Sequence, residues 1–368
     1  GERDPSTIRP EPADTRITLP TSAPQACGAA PAAELDAALL SSTSRPAGTR
    51  AGPTRVPRSL HSTSGSAGHG RNLDTALPVD GGGRRPPAPP DSGGTEANPD
   101  TVRAVDLGLE GRVAMVTGGS QGIGREIALL LAAEGADLVI VARRTEVLER
   151  AAGEIRELGR RVVAVAADVA TPDGPGSIAD AALAALGRVD IVVNNAGKGY
   201  NKTIETLTDD DWYASIDLNL MSAVRMCRAL VPQMRDRGWG RIVNISTRVA
   251  LEPDPYFAAY GASKAGLVNF SKNLANAYSC DGVLTNCIVP GLIRSEAIDQ
   301  AAQRSAAETG LSVEEVMART LKKRPIPAGR LGEPADVAGL VALLCSEHGS
   351  WITGSCFTID GGIVRSDR

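Results

Sequence analysis

RVAMVTGGSQGIGREIALLLAAEG, Arg112 to Gly135, contains three kinds of local pattern in immediate succession. RVAMVT is a continuous apolar run rather than an alternating one, as expected of a strand covered on both faces in a parallel sheet. REIALLLAAEG carries its apolar residues at helical spacing and ends on Gly135, a residue type that stops helices. Between them, GGSQGIG places Gly118, Gly122 and Gly124 directly between strand and helix. Glycines there permit a tight turn and let the backbone approach a pyrophosphate, whose charge is met by the amides of the helix N-terminus. Ser120 and Ile123 complete that turn. The spacing is G-x-x-x-G-x-G, not G-x-G-x-x-G, and the Lys-Ser/Thr of a triphosphate loop is absent. The unit reads as a dinucleotide site and argues against a kinase or ATPase.

The same alternation continues outward. DLVIVA follows as a strand, then a helix from about Thr145 to Leu158, the strand RVVAVAAD to Asp168, a helix through SIADAALAALG and the strand VDIVVNNAG. DDDWYASIDLNLMSAVRMCRALVPQMRDRG reads as one long helix with an acidic first turn, and GRIVNIS as a fifth strand. A second long helix is expected from about Tyr256 to Tyr278, then the strand GVLTNCIVPG, and FTIDGG closes the sheet. The predicted fold is α/β: a doubly wound, Rossmann-type parallel sheet of about seven strands with helices on both faces.

This domain occupies residues 105–368 of a 368-residue chain. Residues 1–104 have a different composition, rich in Pro, Ala, Gly, Ser, Thr and Arg, as in GGGRRPPAPPDSGG. Such a leader buries too little apolar surface to offset its ordering entropy, so it is expected to be disordered. The chain opens on Gly, and its first methionine, Met115, already lies in the first core strand. That suggests either a fragment of a longer chain or a natural start near Val102 or Val105 behind an over-extended reading frame.

The formal net charge of −4 argues against a nucleic-acid-binding body, and the Arg-rich leader has no aromatics for base stacking. No apolar run is long enough to span a bilayer, and the N-terminus lacks the hydrophobic core of a secretion signal, so a cytoplasmic protein is expected. The six cysteines contain no C-x-x-C pair and there are only three histidines, so no metal site is expected and the cysteines read as buried small hydrophobes.

Where an NAD site places an acid at the end of the second strand, this chain has Ala142, Arg143 and Arg144. A guanidinium suits a 2′-phosphate, which favours NADP(H) and leaves NAD open. Asp168 and Val169 end the third strand where an adenine would lie, with Asp168 equally readable as a helix N-cap. Asn195, Ala196 and Gly197, in NNAG, end the fourth at the switch-point crevice. In YGASK, Tyr260 and Lys264 stand at i and i+4, one turn apart on one helix face. A phenol near pKa 10 is a poor acid at neutral pH, and a nearby ammonium is expected to lower it. Tyr256, one turn earlier, reads as a pocket or packing residue.

Taken together, TGGSQGIG, NNAG, Y-x-x-x-K and IVPG, in that order over about Leu107 to Gly362, resemble the short-chain dehydrogenases/reductases in their single-domain form. GRLGEPADVAGLVALLCS and WITGSCFTIDGG look most like the 3-oxoacyl-carrier-protein reductases. The resemblance implies that Tyr260 donates a proton to a substrate carbonyl as hydride arrives from the nicotinamide. It implies that Lys264 tunes Tyr260 and holds the ribose, and that Asn219 holds a water in the proton relay. Pro290, Gly291, Ile293 and Ser295, in IVPGLIRS, take the positions that meet the nicotinamide and a phosphate. The family's remaining hydroxyl, thirteen residues before the tyrosine, falls on Thr247 where a serine is usual. A one-residue insertion in VALEPDPYFAA would restore Ser246 instead, and strand alternation lets only one of the two face the substrate. The segment from Glu296 to Pro325 reads as a helical insertion forming a substrate lid. Relatives pair their two long helices with a neighbour's, so a homotetramer is expected.

The first functional expectation is an NADP(H)-dependent reductase of a ketone or 3-oxoacyl thioester. The alternatives are NAD-dependent oxidation of a secondary alcohol, sugar or steroid, and a nucleotide-sensing module that lost activity, with Thr247 as the sign of decay. The retained Asn219, Tyr260 and Lys264 argue against the latter.

Overall fold

The computed structural model describes residues 106–323 and 325–365. The leader reading for residues 1–104 lies outside them. Seven parallel strands run β1 (Val113–Thr117), β2 (Asp137–Ala142), β3 (Val162–Ala166), β4 (Ile191–Asn194), β5 (Gly240–Ile245), β6 (Val283–Pro290) and β7 (Cys356–Ile359). They form one sheet in the order β3-β2-β1-β4-β5-β6-β7. The chain winds outward from β1 to β3 and returns to the centre at β4, so the switch point lies between the carboxyl ends of β1 and β4.

Alternation along each strand feeds two cores. Ala114 and Val116 of β1, with Leu138 and Ile140 of β2, point into one, shared with Ile127 and Leu131 of α1 (Gly122–Ala133), Leu148 and Ile155 of α2 (Thr145–Glu157), and Val337 and Val341 of α9 (Pro334–Cys345). Val113 and Met115, with Val139 and Val141, point into the other. There they meet Ile178 of α3 (Gly174–Leu186), Met226 and Leu230 of α5 (Ser222–Asp236) and Leu274 of α6 (Ala258–Tyr278). Each fully buried Val, Leu or Ile contributes about 1.5–3 kcal/mol of hydrophobic stabilisation. This is why the strands read as unbroken apolar runs.

Three expectations change. The run expected as one long helix is α4 (Asp209–Ile216), a π turn over Asp217–Met221, and α5. That turn, wider than an α-helical one, contains Asn219. The second long helix begins at Ala258 rather than Tyr256, because Tyr256 still belongs to the loop, where its carbonyl accepts from the Lys202 amide at 3.0 Å. The expected helical lid is two helices, α7 (Glu296–Thr309) and α8 (Val313–Lys323), separated at Gly310. Among the described residues no helix is long and apolar enough to cross a membrane.

The cysteine expectation holds in part. Cys227, Cys287 and Cys345 are buried, whereas Cys280 and Cys356 are exposed, and Cys27 lies outside the described residues. Cys356 is exposed because β7 is the edge strand.

Candidate active site

A cleft of about 830 Å³ opens above the carboxyl ends of the strands. It brings together the glycine turn, the Arg143–Arg144 pair, Asp168 and Val169, Asn195 to Gly197, Ser246 and Thr247, Tyr260 and Lys264, and Pro290 to Ala297 with Gln300. Of the residues singled out in the sequence for cofactor or chemistry, Asn219 alone is absent from its lining.

The nucleotide half is built around the start of α1. Its N-cap, Gln121, makes no side-chain cap, and no acidic residue stands in the first turn, so no carboxylate of that turn meets the leading amides. Gly122 adopts φ +54°, where a side chain is strained, and a Cβ there would meet nothing within 4 Å. These features fit a pyrophosphate: open donors, the positive end of the helix dipole and room for close approach. Arg143 pairs with Asp168 at 3.7 Å while 68% of its side chain is exposed, and Arg144 donates to Gln121. An exposed ion pair holds Arg143 weakly, and Arg144 is exposed as well, so both guanidiniums stand at the mouth of the cleft. Asp168 does not cap a helix: its carboxylate accepts from the Ala170 amide at 2.9 Å, and the N-cap of α3 is Asp173.

The chemical half is built on β5 and α6. Lys264 is 2% exposed, and its Nζ donates to the Ile245 carbonyl at 2.8 Å. Burial lowers its pKa from 10.5 to about 8. Burial raises the pKa of the Tyr260 phenol above its ordinary value and outweighs the lowering influence of the neighbouring Thr247 hydroxyl. The expected depression by Lys264 is therefore corrected: desolvation is the larger effect, and the phenol holds its proton at neutral pH. The hydroxyls of Ser246 and Thr247 diverge. Ser246 is buried and its Oγ donates to the Lys264 carbonyl at 3.1 Å, whereas Thr247 reaches the phenol.

Asn219 acts on the site's shape. Its Oδ1 accepts from the Lys198 amide at 3.0 Å, and its Nδ2 donates to the Lys198 carbonyl at 3.1 Å and the Ser215 carbonyl at 3.0 Å. The π turn thus clamps the loop after β4. That loop passes so close above the lysine that a Cβ on Gly197 would lie 2.8 Å from Asn219 Oδ1 and 3.2 Å from Lys264 Nζ. Tyr256 neither lines the cleft nor packs: half of its surface is exposed.

Sequence reasoning missed Gln121, which holds Arg144, and the carbonyl of Ile245, which holds Lys264. It also missed Lys198, Glu296 and Gln300 in the cleft wall. Gln121 lies inside the glycine motif and was findable there. A backbone carbonyl leaves no trace in residue type.

A family model described as short chain dehydrogenase matches residues 112–306. Oxidoreductase UcpA of Escherichia coli K12 is 36% identical over 69% of this chain and 95% of its own length. An uncharacterised oxidoreductase of Mycobacterium tuberculosis is 35% identical over 70% of this chain and 93% of its own. Among solved structures, L-sorbose reductase from Gluconobacter frateurii, complexed with NADPH and L-sorbose, is 38% identical with a TM-score of 0.69, covering 71% of this chain and all of that one. With the fold, the cleft and these matches in agreement, the chain belongs to the short-chain dehydrogenase family and is an NAD(P)-dependent oxidoreductase.

Proposed function

We propose that this protein is an NADPH-dependent reductase of a polar ketone, with Tyr260 as the proton donor. The observation that carries the reading is the Thr247–Tyr260 hydroxyl pair in the same cleft as the buried Lys264 and the exposed Arg143–Arg144 pair. When bound, the reduced nicotinamide supplies the hydride.

The chain's own residues supply the rest. Thr247 and Tyr260 hold the substrate carbonyl oxygen, and Tyr260 passes its proton to that oxygen as negative charge develops there. A phenol kept above its usual pKa is protonated at neutral pH, as a donor must be. Lys264, with a pKa of about 8, is still largely charged at neutral pH and stabilises the phenolate left behind. The open amides of α1 would hold the pyrophosphate, and Arg143 and Arg144 the 2′-phosphate. Lys198, Glu296 and Gln300 make the cleft wall polar, which suits a hydroxylated ketone. The likeness to a reductase complexed with L-sorbose supports the same class.

Absorbance assays of NADPH and NADH oxidation with ketoses, diketones and a 3-oxoacyl thioester test this reading. NADPH with a hydroxylated ketone should be the productive pair, and preferential turnover of the thioester would replace the substrate assignment. Tyr260→Phe should lower turnover at least roughly a hundredfold while leaving cofactor binding intact. Replacing Arg143 and Arg144 by Ala should raise the KM for NADPH and leave that for NADH nearly unchanged, since each charge-assisted contact is worth about 1.5–3 kcal/mol. An unchanged NADPH/NADH ratio would discard the cofactor assignment.

A further inference from the structure

Cys287 of β6 and Cys356 of β7 are direct partners in the parallel register of the sheet. Residues paired in this way project to the same face. The neighbouring pair confirms which face: Ile288 and Phe357 lie in the core shared with α1 and α9, so the two cysteines lie on the α6 side. Adjacent strands stand about 4.7–4.9 Å apart, inside the roughly 4.4–6.8 Å Cα separation that a disulfide spans. β7 is the edge strand and only four residues long, so it has freedom to close the remaining gap.

The two thiols differ. Cys287 is 1% exposed and Cys356 is open to solvent. Interaction with Cys356 together with burial pushes the Cys287 thiol up, and interaction with Cys287 draws the Cys356 thiol down. An exposed thiol with a stabilised thiolate, beside a buried thiol within bonding reach, has the layout of an attacking and a resolving cysteine.

We infer that Cys287 and Cys356 form a redox-active dithiol, a site of oxidation by hydroperoxides that closes to an intramolecular disulfide. The Cys356 thiolate attacks one peroxide oxygen, the O–O bond breaks, and the other oxygen leaves as water or alcohol after taking a proton, giving a Cys356 sulfenic acid. Cys287 loses its proton as its sulfur attacks Cys356 sulfur; the S–OH bond breaks and hydroxide leaves with that proton as water. Two thiols are oxidised by two electrons and one hydroperoxide is reduced.

The test uses the full chain carrying Cys27→Ser and Cys280→Ser, treated with hydrogen peroxide and mapped by mass spectrometry without reduction. The expected product is a linked pair of Cys287 and Cys356 peptides, lighter by two hydrogens and separated again by dithiothreitol. Cys356→Ser should slow the peroxide-driven loss of the Cys287 thiol at least roughly tenfold. Cys287→Ser should leave a Cys356 sulfenic acid that dimedone captures. The same map on the unsubstituted chain guards against a variant that fails to fold. Over-oxidation of Cys356 while Cys287 remains a thiol, or a link between Cys356 residues of two copies, would overturn the inference.

Discussion

β4 is four residues long, and a buried charge lies beyond each of its ends. At the amino end, Asp190 is fully buried. Its carboxylate accepts from the Val113 amide at 3.0 Å, from Arg188 at 2.9 and 2.6 Å, and from Arg237 at 3.4 Å. At the carboxyl end, the loop through Gly197 lies against the ammonium of Lys264, which is equally buried but has a carbonyl as its hydrogen-bond partner. The first charge is neutralised and ties β1 and β4 to Arg237, the C-cap of α5. The second keeps its desolvation penalty, visible in its lowered pKa. A buried charge that is paired makes the fold depend on its partners, whereas one held without a charged partner keeps a desolvation penalty and marks a candidate functional group.

Removing each charge should therefore have opposite effects. Asp190→Ala leaves Arg188 and Arg237 without their partner and the Val113 amide without its acceptor, and should destabilise the fold by about 3–5 kcal/mol. Turnover measured well below the melting transition should stay near that of the wild type. A melting temperature unchanged by Asp190→Ala would break the comparison from the structural side.

Lys264→Met should make the protein more stable while abolishing turnover. The fall from 10.5 to about 8 corresponds to about 3 kcal/mol. The folded pKa lies below the unfolded one, so between those values the unfolded chain holds a proton that the folded chain has released, and stability rises with pH. Below pH 8 the wild type carries the whole penalty. The advantage of Lys264→Met should be greatest at neutral pH, shrink through the window and level off above pH 10.5. Denaturant titrations across that range, without cofactor, check it; a variant less stable than wild type at neutral pH would show that the bond to Ile245 outweighs desolvation.

What the sequence made legible follows from the same physics. Strands buried on both faces must be apolar throughout, so RVAMVT, DLVIVA and VDIVVN declared themselves. Tyr260 and Lys264 stood out in the sequence because the chemistry proposed for them sits in the side chains, and the structure brings both to the cleft. The π turn at Asn219 was hidden, since one extra residue in a long helical run barely disturbs the apolar period. The division of the segment after Ser295 into two helices has a readable signal: Gly310 stops α7, and Ser312 and Glu315 form a reciprocal cap at the start of α8. The pKa of Tyr260 was misjudged because spacing shows which charge is near but not how much water has been removed.

The smallest effect concerns two adjacent hydroxyls. Thr247 stands thirteen residues before Tyr260 and neighbours its phenol, while Ser246 bonds to the backbone carbonyl of Lys264. Ser246→Ala removes one buried hydrogen bond and should reduce stability by about 1 kcal/mol with little change in turnover. Thr247→Val keeps the shape but removes the hydroxyl proposed to orient the substrate carbonyl, and a contact of about 1–1.5 kcal/mol in the transition state amounts to roughly a tenfold loss of kcat/KM. Thr247→Ser should restore activity, because the hydroxyl and not the methyl carries the role. If instead Ser246→Ala abolished reduction while Thr247→Val was mild, the substrate would have to approach from the side of the Lys264 carbonyl, and the hydroxyl seen beside Tyr260 would serve only to position the phenol.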